Sequence, residues 1–450
     1  MRDSFASRIG MVLATAGSAV GLGNVWRFPY MTGENGGAAF ILIYIACIFM
    51  LGMPGMISEF IVGRRSQANA VRAYTSLSGG RRGWGLIGVL GVVTGLTILG
   101  FYSVVAGWCL DYLGVSLVGG LRGDAASVER YFSDFTSKAW QPALLAIAFL
   151  VITHLVVVRG VQRGIERASK VLMPLLFILL IIIVVSSCML PGAADGIRFL
   201  FYPDFSKVTH HTLLAALGQA FFSLSLGTCC LCTYASYFRR DTNLVRSATE
   251  IAFLDTLIAI MAGLMIFPAA FAVGVQPDSG PSLVFITLPN VFRQAFAAVP
   301  LLGWCIAVLF YALLVFAALT STISMHEIGT AYFAEEHHLS RKTSASIVTV
   351  LCAILAVGCS LSFGATDSLQ VMGMSLLDFC DHVTSQYMLP LGAFLTSIFL
   401  GWFISNETLR SEFTNEGTVA RRLFPIYRIA IRYVVPICIL LIFLDQTGLL

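Results

Sequence analysis

The sequence predicts an all-α integral membrane protein with about eleven transmembrane helices. Hydrophobic residues make up 57% of the chain and charged residues only 12%, whereas soluble proteins carry about 25% charged residues. Apolar runs near or above the roughly 20 residues needed to cross a bilayer recur along the whole chain. Lysine and arginine cluster in alternate connections between these runs. This alternation is typical of a multi-pass protein, because the cytoplasmic connections hold most of the basic residues.

The predicted spans follow one another closely, so we expect a single transmembrane domain over residues 1–450. The spans lie near residues 9–32, 38–63, 85–118, 141–159, 169–190, 209–238, 246–275, 300–334, 343–363, 374–403 and 427–448. The basic residues predict a cytoplasmic N-terminus and an extracytoplasmic C-terminus. The 11 cysteines all fall in or beside apolar runs, so we expect no disulfide framework.

Two spans are interrupted in their middles by small and polar residues. One interruption is GSAVGLGNVWRFP at residues 17–29, and the other is QAFFSLSLGTCCLCTYASY at residues 219–237. Glycine and small hydroxyl residues lower helix propensity, and backbone groups freed within a membrane must be buried in protein or line a cavity. Close helix packing through small residues is the alternative interpretation of either stretch taken alone.

The two interruptions occupy corresponding positions in the chain, the first and sixth spans. We therefore predict two inverted five-helix repeats at about 8–190 and 208–403, with an extra C-terminal helix at about 427–448. Matched broken helices of this kind indicate a transporter that binds its substrate near the middle of the membrane. Free N–H groups at one half-helix end attract a carboxylate, and free C=O groups at the other ligate a hard cation such as Na⁺. A substrate anion and a coupling cation can therefore share one break.

Long stretches of the chain resemble the neurotransmitter:sodium symporter family, specifically its bacterial amino-acid-transporting branch with the LeuT-like fold. They are RIGMVLATAGSAVGLGNVWRFP, ENGGAAF, RGIERASKVLMP, GQAFFSLSLG with TYASY, LPNVF, and ALTSTIS followed by HHLSRK. These stretches span nearly the whole chain and follow the family order. The resemblance implies a multi-pass sodium symporter of the bacterial inner membrane that works by alternating access.

The resemblance also implies two sodium sites. The first comprises the carbonyl of Ala19 and the side chains of Asn24, Ser223 and Asp255, completed by the carboxylate of the substrate. The second comprises the carbonyls of Gly17, Val20 and Ala317 and the hydroxyls of Thr320 and Ser321. All of these groups are oxygen ligands, which suit a hard cation.

The implied substrate site lies beside these ions. Leu22 and Gly23 are expected to offer N–H groups, and Tyr102 its hydroxyl, to the substrate carboxylate. The amine is expected to meet carbonyls of the broken helices near Phe222 and Ser225. The residues expected around the side chain are Ile98, Phe222, Ser225, Thr228, Ser321 and Met325, and Ala19, Gly21 and Ser223 complete the site.

Gly21 bears on the class of substrate. Monoamine-transporting relatives place an aspartate at this position, standing in for the carboxylate that their substrates lack. With glycine, the substrate must bring its own anion to the first sodium, so the resemblance implies an amino acid. Because no position around the side chain offers a charge, we expect a neutral, mostly apolar L-amino acid. Thr228 is smaller and Cys229 larger than the residues usual in the family, so their net effect on pocket size stays open.

Asp255 replaces the asparagine that is more usual in the family. Animal relatives often need chloride to balance the two sodium charges, and this carboxylate can supply that charge itself, whereas Ala259 cannot. We therefore expect chloride-independent transport and leave open whether Asp255 accepts a proton on the return step. A paired structural residue is the alternative, although an acid within a membrane span is by default functional.

The resemblance further implies two gates and a hinge. The outer gate pairs Arg27 with Asp381 over a lid of Tyr102 and Phe222; the inner gate pairs Arg2 with Glu335, supported by Phe5, Ser236 and Tyr237. Phe5 and Glu335 stand where the family more often has tryptophan and aspartate, and Arg2 is alternatively a simple positive-inside charge. Gly164 and Pro174 bracket nine residues of a turn that is expected to open and admit water to the second sodium site.

Other buried polar residues are interpreted as structural. Glu59 is expected to tie the broken helices together through hydrogen bonds to freed backbone groups. His154, His326 and His382 have no metal-site spacing around them, which favours buried histidines with satisfied hydrogen bonds.

Three other functions are weighed against sodium-coupled amino-acid uptake. Uptake of a non-α amino acid or a betaine-like osmolyte is one alternative, and an amino-acid sensor that does not cycle is another. The sequence lacks the motifs of zinc proteases, α/β-hydrolases and phosphate-loop enzymes, so no enzymatic activity is expected. The expected partners are the substrate, sodium ions and the lipid bilayer, without nucleic acid or chloride, and the protein is expected as a monomer or weak homodimer.

Overall fold

In a computed structural model of the protein, which describes residues 4–119, 125–274 and 283–446, most of the chain is helical. The α-helices, in chain order, are α1 (Arg8–Ala19), α2 (Phe28–Glu34), α3 (Ala38–Cys47), α4 (Met53–Ser66), α5 (Ala70–Leu77), α6 (Arg82–Leu117), α7 (Ala125–Thr136), α8 (Gln141–Val157), α9 (Arg167–Cys188), α10 (Ala193–Phe201), α11 (His210–Ser223), α12 (Cys230–Ala235), α13 (Leu244–Ala272), α14 (Leu288–Ala295), α15 (Pro300–Glu336), α16 (Arg341–Gly364), α17 (Leu376–Val383), α18 (Leu389–Ile398), α19 (Asn406–Phe413), α20 (Phe424–Ile429) and α21 (Val435–Gln446). The chain thus has the all-α architecture that its sequence predicts.

Single π-helical turns connect several of these helices into longer rods. They are Gly23–Arg27, Ile48–Gly52, Val161–Glu166, Leu283–Thr287, Thr384–Met388, Phe399–Phe403 and Ala430–Val434. Short 3₁₀ turns lie at Phe205–Lys207, Asp367–Leu369 and Arg421–Leu423. π-turns are frequent at functional sites, and two of these turns, Gly23–Arg27 and Val161–Glu166, adjoin segments predicted to bind or release the ions.

Within the described ranges, eight rods are long and apolar enough to cross a membrane: Ala38–Ser66, Arg82–Leu117, Val161–Cys188, Leu244–Ala272, Pro300–Glu336, Arg341–Gly364, Leu376–Phe403 and Arg421–Asp445. Two bent helix pairs meet the same criteria, Arg8–Ala19 with Gly23–Glu34 at 56° and Ala126–Thr136 with Gln141–Val157 at 76°. The remaining predicted span corresponds to α11 and α12, which are separated by residues 224–229. Every predicted span is therefore represented by helix.

Polar side chains begin several helices where the chain enters an apolar segment. Ser7 Oγ accepts a hydrogen bond from Gly10 N at the start of α1, and Asn243 and Ser340 cap α13 and α16 in the same way. Such caps satisfy backbone N–H groups that have no partner within the helix. They position the first residues of the spans on which the site is built.

The first broken helix lies in the centre of the bundle. Its N-terminal half, α1, packs against α9, α13 and α15, and α6 packs along α15, α8 and α16. The most apolar window of the α6 span is 67% buried, whereas that of the span Val161–Cys188 is only 33% buried. The helix α6 is therefore an interior helix, while α9 presents one face to the bundle and the other to lipid.

Candidate functional site

The first break follows α1 directly. The helix ends at Ala19, Val20 has an extended backbone (ψ 109°), and helical geometry resumes in the π-turn Gly23–Arg27. The two halves are inclined at 56°. Residues 20–22 consequently expose carbonyl and amide groups in the middle of a bundle, as the sequence predicts for an interrupted span.

The second break occupies residues 224–229, between α11 and α12. Three residues in or bounding it, Ser225, Gly227 and Cys229, have left-handed φ angles of 53°, 87° and 57°. Only glycine adopts such angles without strain, and the two other residues need support from their surroundings. Cys229 therefore turns the chain into α12 rather than continuing α11.

Glu59 on α4 supports this second break. Its carboxylate accepts hydrogen bonds from Gly227 N at 2.8 Å and from Cys232 N at 3.2 Å. These two amides lie in the break and in the first turn of α12, where no helical acceptor is available. The prediction that Glu59 binds freed backbone groups is confirmed.

A first cluster of polar side chains joins the two breaks to α13. Asn24 Nδ2 donates to Asp255 Oδ1 at 2.8 Å, and Ser223 Oγ donates to Asp255 Oδ2 at 2.7 Å. Asn24 Oδ1 accepts from Gly21 N at 3.1 Å. The Asp255 side chain is fully buried. The structure thus brings together the three side chains expected at the first sodium site, beside the carbonyl-bearing segment that begins at Ala19.

Two residues beside this cluster are absent from the sequence-based prediction. Tyr44 OH donates to Asp255 Oδ2 at 3.4 Å. Gln219 lies one helical turn before Ser223, and its buried amide has no hydrogen-bond partner in the described part of the chain. The sequence could have indicated Gln219 as a site residue, because it is a glutamine inside an apolar span and a buried amide requires hydrogen-bond partners.

A second cluster joins the first break to α15. Ser321 Oγ donates to Val20 O at 3.2 Å, and Thr320 Oγ1 lies 2.9 Å from Ala317 O and 3.4 Å from Val20 O. A Cβ atom placed on Gly17 would lie 3.2 Å from Thr320 Cβ. All five residues predicted for the second sodium site therefore meet at one point between α1 and α15.

The chemistry of both clusters fits a hard cation. Their potential ligands are carbonyl, amide, hydroxyl and carboxylate oxygens, which suit hard ions, whereas thiolates and imidazoles select softer metals. No group of three or more His, Cys, Asp or Glu side chains that could hold a metal occurs in the described ranges. The clusters thus fit Na⁺ as a transported ion rather than a resident transition metal.

The groups predicted to bind a carboxylate lie close together at the first break. Leu22 N donates to Tyr102 OH at 3.1 Å. A Cβ atom on Gly21 would lie 2.5 Å from Ser321 Oγ and 3.1 Å from Tyr102 OH, and one on Gly23 would lie 2.9 Å from the Phe222 ring. The predicted anion-binding groups therefore converge, and the space at Gly21 excludes a side chain.

The residues predicted around a substrate side chain come from α6, the second break and α15. Thr228 is buried, and its hydroxyl donates to Ser225 O at 2.8 Å. Ile98, Ser225 and Met325 retain partial exposure although they belong to the bundle interior. This arrangement is that of a largely apolar enclosure with few polar groups.

Cys229 does not narrow this enclosure, contrary to the possibility raised from the sequence. Its sulfur lies 2.5 Å from the position of a Cβ atom on Gly91 and contacts Ile87 O at 3.9 Å. Gly91 precedes Ile98 by seven residues, or about 10 Å along α6. The left-handed backbone at Cys229 directs the thiol toward the segment of α6 around Ile87 and Gly91, away from Ile98.

On the predicted outer side, Arg27 stacks on the lid. Its guanidinium carbon lies 4.2 Å from the centroid of the Phe222 ring, a cation–π contact. Asp381 is within electrostatic range of Arg27 but accepts a hydrogen bond from Ser385 Oγ at 3.1 Å. Among the described residues the two charges form no direct ion pair, because the guanidinium is held over Phe222. A cavity of about 30 Å³ lies beside Arg27, Phe222 and Ser385.

On the predicted inner side, the N-terminal segment covers the bundle. The Phe5 ring packs against Tyr234, Tyr237 and Phe238, and Phe5 N donates to Tyr237 O at 3.2 Å. Glu335 accepts hydrogen bonds from the backbone and side chain of Asn69. The predicted partner of Glu335, Arg2, lies outside the described residues. Phe5 and Tyr237 meet as predicted.

A buried ion pair lies near the N-terminal segment that carries Phe5, and the sequence analysis did not predict it. Glu327 is fully buried and receives two hydrogen bonds from Arg341, at 3.0 and 2.6 Å. Tyr237 OH donates to the same carboxylate at 2.6 Å. An acid inside the apolar α15 was the visible signal, but its basic partner lies beyond the end of that helix. Breaking a buried pair of this kind costs about 3–5 kcal/mol.

The first part of the predicted hinge forms a π-helical turn in this structure. Gly164 lies in Val161–Glu166, and Pro174 lies inside α9. Two contacts, each with a glycine, link this region to α1: a Cβ atom on Gly10 would lie 2.2 Å from Glu166 Oε1, and one on Gly17 would lie 3.3 Å from Met173 Sδ. Gly10 and Gly17 are seven residues apart, and so are their partners Glu166 and Met173. The helix α1 and the hinge segment therefore lie side by side.

His154, His326 and the cysteines have the structural roles that the sequence favours, whereas His382 is half-buried and packs against the Tyr387 ring. His154 and His326 share hydrogen bonds with Thr349, each at 2.9 Å. All the cysteines are free, and most of them are buried.

An all-α fold with two broken helices, between which oxygen ligands and backbone amides without helical acceptors converge, defines a multi-pass membrane transporter. The chain matches the Sodium:neurotransmitter symporter family over residues 2–134 and 122–448 and belongs to that family. It is therefore a sodium-dependent transporter and not an enzyme, and the family membership predicted from the sequence is confirmed.

Individual relatives agree with this assignment. The chain is 40% identical to the sodium-dependent transporter YhdH of Bacillus subtilis over 448 residues, covering 99% of this chain and 98% of that protein. It is 33% identical to a sodium-dependent transporter of Haemophilus influenzae over 459 residues, covering 99% and 98% of the two chains. It is also similar to the crystal structure of MhsT in complex with L-phenylalanine, with a TM-score of 0.88, 40% identity and coverage of 99% of this chain and 100% of that one.

Proposed function

We propose that the protein is a sodium-coupled symporter for a neutral, apolar L-amino acid. The observation that carries this proposal is the meeting, at one break in the first helix, of two oxygen clusters and two amides, Gly21 N and Leu22 N, that donate to side chains instead of helical carbonyls. A carboxylate there completes the coordination of one cation while it receives N–H donors from the half-helix end. Binding of the substrate and binding of sodium are thereby coupled.

Two sodium ions are assigned to the two clusters. The first ion binds Asn24, Ser223, Asp255, the Ala19 carbonyl and the carboxylate of the substrate. The second binds the five groups between α1 and α15, centred on the Val20 carbonyl, which already lies within 3.4 Å of two hydroxyls. The second site contains no substrate atom, so its role is to hold α1 against α15.

The substrate is proposed to be an α-amino acid with an apolar side chain. Gly21 has no space for a side chain, so the second carboxylate that is proposed to join Asp255 at the first sodium belongs to the cargo. Ile98, Phe222 and Met325 offer apolar surface to the cargo side chain. MhsT, similar over nearly its whole length, was crystallised with L-phenylalanine, which supports an apolar cargo for this chain.

Transport is proposed to be independent of chloride. Asp255 is buried among Asn24, Ser223 and Tyr44, and no Lys or Arg of the described chain forms an ion pair with it. Its negative charge is therefore available to balance sodium. On the return step, after sodium has left, the same carboxylate is proposed to take up a proton. Internal pH recorded with an entrapped dye during amino-acid uptake tests this step, and no counter-flow of protons would contradict it.

Alternating access is proposed to depend on two gates, the inner segment that carries Phe5 and the outer lid of Tyr102 and Phe222. Release to the inside requires the segment that carries Phe5 to leave Tyr237, and the turn that contains Gly164 to unwind toward the second sodium site. Closure on the outside brings Arg27 and Asp381 together over Tyr102 and Phe222. Inverted repeats at about residues 8–190 and 208–403 provide the two related halves that such a cycle needs.

The membrane setting is also a proposal. The distribution of basic residues supports a bacterial inner membrane protein with a cytoplasmic N-terminus and an extracytoplasmic C-terminus. A monomer or weak homodimer is expected. Cysteine accessibility from the two sides of intact and inverted membrane vesicles would test this orientation.

Uptake by purified protein in liposomes tests the central proposal. Under an inward sodium gradient, labelled L-phenylalanine and other apolar amino acids should accumulate, and replacing sodium by potassium should abolish the uptake. Replacing chloride by gluconate should leave it unchanged. Accumulation of betaine in preference to all amino acids would contradict the assigned cargo, and binding of amino acid without any uptake would identify a sensor.

A further inference from the structure

A basic cavity lies at the start of the last span, away from the broken helices. It has a volume of about 550 Å³ and is lined by four arginines, Arg410, Arg421, Arg428 and Arg432, together with the apolar and aromatic residues Phe424, Pro425, Ile429 and Tyr433. None of the described residues that line it is acidic. The charge distribution predicts that this end of the span lies on the cytoplasmic side.

The four arginines come from two directions. Arg421, Arg428 and Arg432 are spaced by seven and four residues, so they follow one face of the helix that begins the last span. Arg410 approaches from α19, the short helix that precedes this span. The cavity is thus a cleft between two elements and not a single helix face.

The charges in this cleft are not neutralised by the protein. Within the described ranges, none of the four guanidinium groups forms an ion pair with a carboxylate. Glu412, the acid nearest in sequence to Arg410, instead binds Arg64 at 2.7 Å and Arg65 at 3.1 Å. The Nε atom of Arg432 is buried and has no hydrogen-bond partner in the part of the chain that the structure describes. Four like charges around one space favour an anion between them.

The mouth of the cleft faces the bilayer. Ile426 and Ile429 are 65% and 57% exposed on the membrane-spanning surface, and Trp402 and Tyr433 are also exposed. Arg432 lies four residues beyond Arg428, and its guanidinium carbon is 4.3 Å from the centroid of the Trp402 ring. Tryptophan and tyrosine side chains are enriched at the level of the lipid headgroups. These two rings therefore favour a position of Arg432 at that level, where a lipid phosphate can reach it.

We propose that this cleft, hereafter the arginine cleft, binds the phosphate headgroup of an anionic membrane lipid. Guanidinium groups form paired hydrogen bonds with phosphate oxygens, and basic clefts between transmembrane helices on the cytoplasmic side suit such headgroups. The volume lies within the roughly 300–1,000 Å³ of small-molecule sites. The aromatic rings beside Arg432 provide a surface for the glycerol and the first acyl carbons. The bound lipid fixes the start of the last span against α19.

Thermal unfolding of the full-length protein in a neutral detergent tests this site. Dioctanoyl phosphatidylglycerol, dioctanoyl phosphatidylcholine and inorganic phosphate are titrated in parallel. Phosphatidylglycerol should raise the Tm in a saturable way, whereas the two other compounds at equal concentration should not. The Arg428→Gln/Arg432→Gln variant should bind phosphatidylglycerol at least about tenfold more weakly, since each tenfold step corresponds to about one lost charged hydrogen bond.

Two further variants complete the experiment. Arg240→Gln, which removes an exposed basic residue elsewhere on the predicted inner surface, should keep the affinity of the unaltered protein. Arg410→Gln/Arg421→Gln removes the two exposed arginines of the cleft and should also weaken binding, which gives a second measurement if the first variant does not fold. Native mass spectrometry should count retained phosphatidylglycerol on the unaltered protein and less on both cleft variants.

The opposite results are equally specific. An equal shift with phosphatidylcholine would mean that acyl chains alone stabilise the protein, and an equal shift with inorganic phosphate would assign the cleft to a soluble anion. Either result overturns the proposal, as does unchanged phosphatidylglycerol affinity in the folded cleft variants. Because the readout is lipid binding, failure here would leave the transport proposal untouched.

Discussion

The hydroxyl oxygen of Ser321 lies 2.5 Å from the position that a Cβ atom on Gly21 would occupy. Real Cβ atoms essentially never come so close to another heavy atom, and Ser321 Oγ is itself held by the carbonyl of Val20 at 3.2 Å. The first break and α15 are therefore in direct contact at a point where only glycine fits. This contact links the proposed carboxylate site to the second cation site.

The Gly21→Ala variant should lose most of its amino-acid uptake. The added methyl group displaces Ser321 or Tyr102 and occupies space assigned to the substrate carboxylate, so we expect at least about a tenfold loss of uptake, equivalent to about 1.4 kcal/mol. Gly114→Ala is the matched control, because a Cβ atom there meets nothing within 4 Å. Liposome uptake measures both variants, and full uptake by Gly21→Ala would exclude the assigned carboxylate position.

The Asp255→Asn variant should make transport dependent on chloride. The amide keeps the hydrogen-bonding shape but removes the negative charge that is proposed to balance sodium, so an external anion must replace it. Uptake should then fall when gluconate replaces chloride, whereas the unaltered protein should not respond. Asp195→Asn changes an exposed acid and should behave like the unaltered protein. Equal activity of Asp255→Asn with and without chloride would refute the charge-balance role.

The Thr320→Ala variant should weaken sodium dependence specifically. Its hydroxyl lies 3.4 Å from Val20 O and 2.9 Å from Ala317 O, so its removal takes one ligand from the proposed second site. We expect the sodium concentration for half-maximal uptake to rise about tenfold, while binding at saturating sodium is retained. Thr249→Ala removes a hydroxyl that bonds only its own helix and should leave this concentration unchanged. An unaltered sodium requirement in Thr320→Ala would argue against the site.

The Glu166→Gln variant should loosen the N-terminal segment. The Glu166 carboxylate accepts from Ala6 N at 2.6 Å, and from Ser7 N and Ser7 Oγ at 3.1 and 2.7 Å. Hydrogen bonds to a charged acceptor contribute about 1.5–3 kcal/mol each, so the variant should increase deuterium uptake at residues 4–12. Glu250→Gln is a control on the same segment, because it removes surface pairings with Arg8 and Arg246, which contribute little to stability. Identical exchange in the two variants would show that Glu166 does not hold the segment.

The Arg341→Met variant should destabilise the protein strongly. It leaves the Glu327 carboxylate buried without its cation, at an expected cost of about 3–5 kcal/mol. The double variant Glu327→Leu/Arg341→Met should recover much of the lost stability, because neither charge is then buried. The Tm in detergent measures both variants. A double variant no more stable than the single one would contradict an origin in the unpaired charge.

The spans, their order and the positions of both breaks could be predicted from the sequence because they depend on local composition. Apolar runs of sufficient length enter a membrane regardless of their neighbours, and glycine with small polar residues interrupts a helix wherever it is not supported. The role of Glu59 was equally predictable, since a carboxylate in a span must find donors. The resemblance to the family supplied the residues of the two oxygen clusters, which the tertiary structure brings together.

Several features depended on contacts between distant segments, and local composition does not encode them. Three features each join elements whose relative placement is decided by packing. They are the Glu327–Arg341 ion pair, the hydrogen bonds from the N-terminal segment to Glu166, and the arginine cleft. The direction of the Cys229 thiol depends on one left-handed backbone angle, and Arg27 stacks on Phe222 rather than reaching Asp381. By itself, the sequence determined a membrane bundle with two broken helices, because bilayer insertion and helix propensity act along the chain. Only the tertiary structure decided which charges meet, because electrostatic partners are chosen by distances in space.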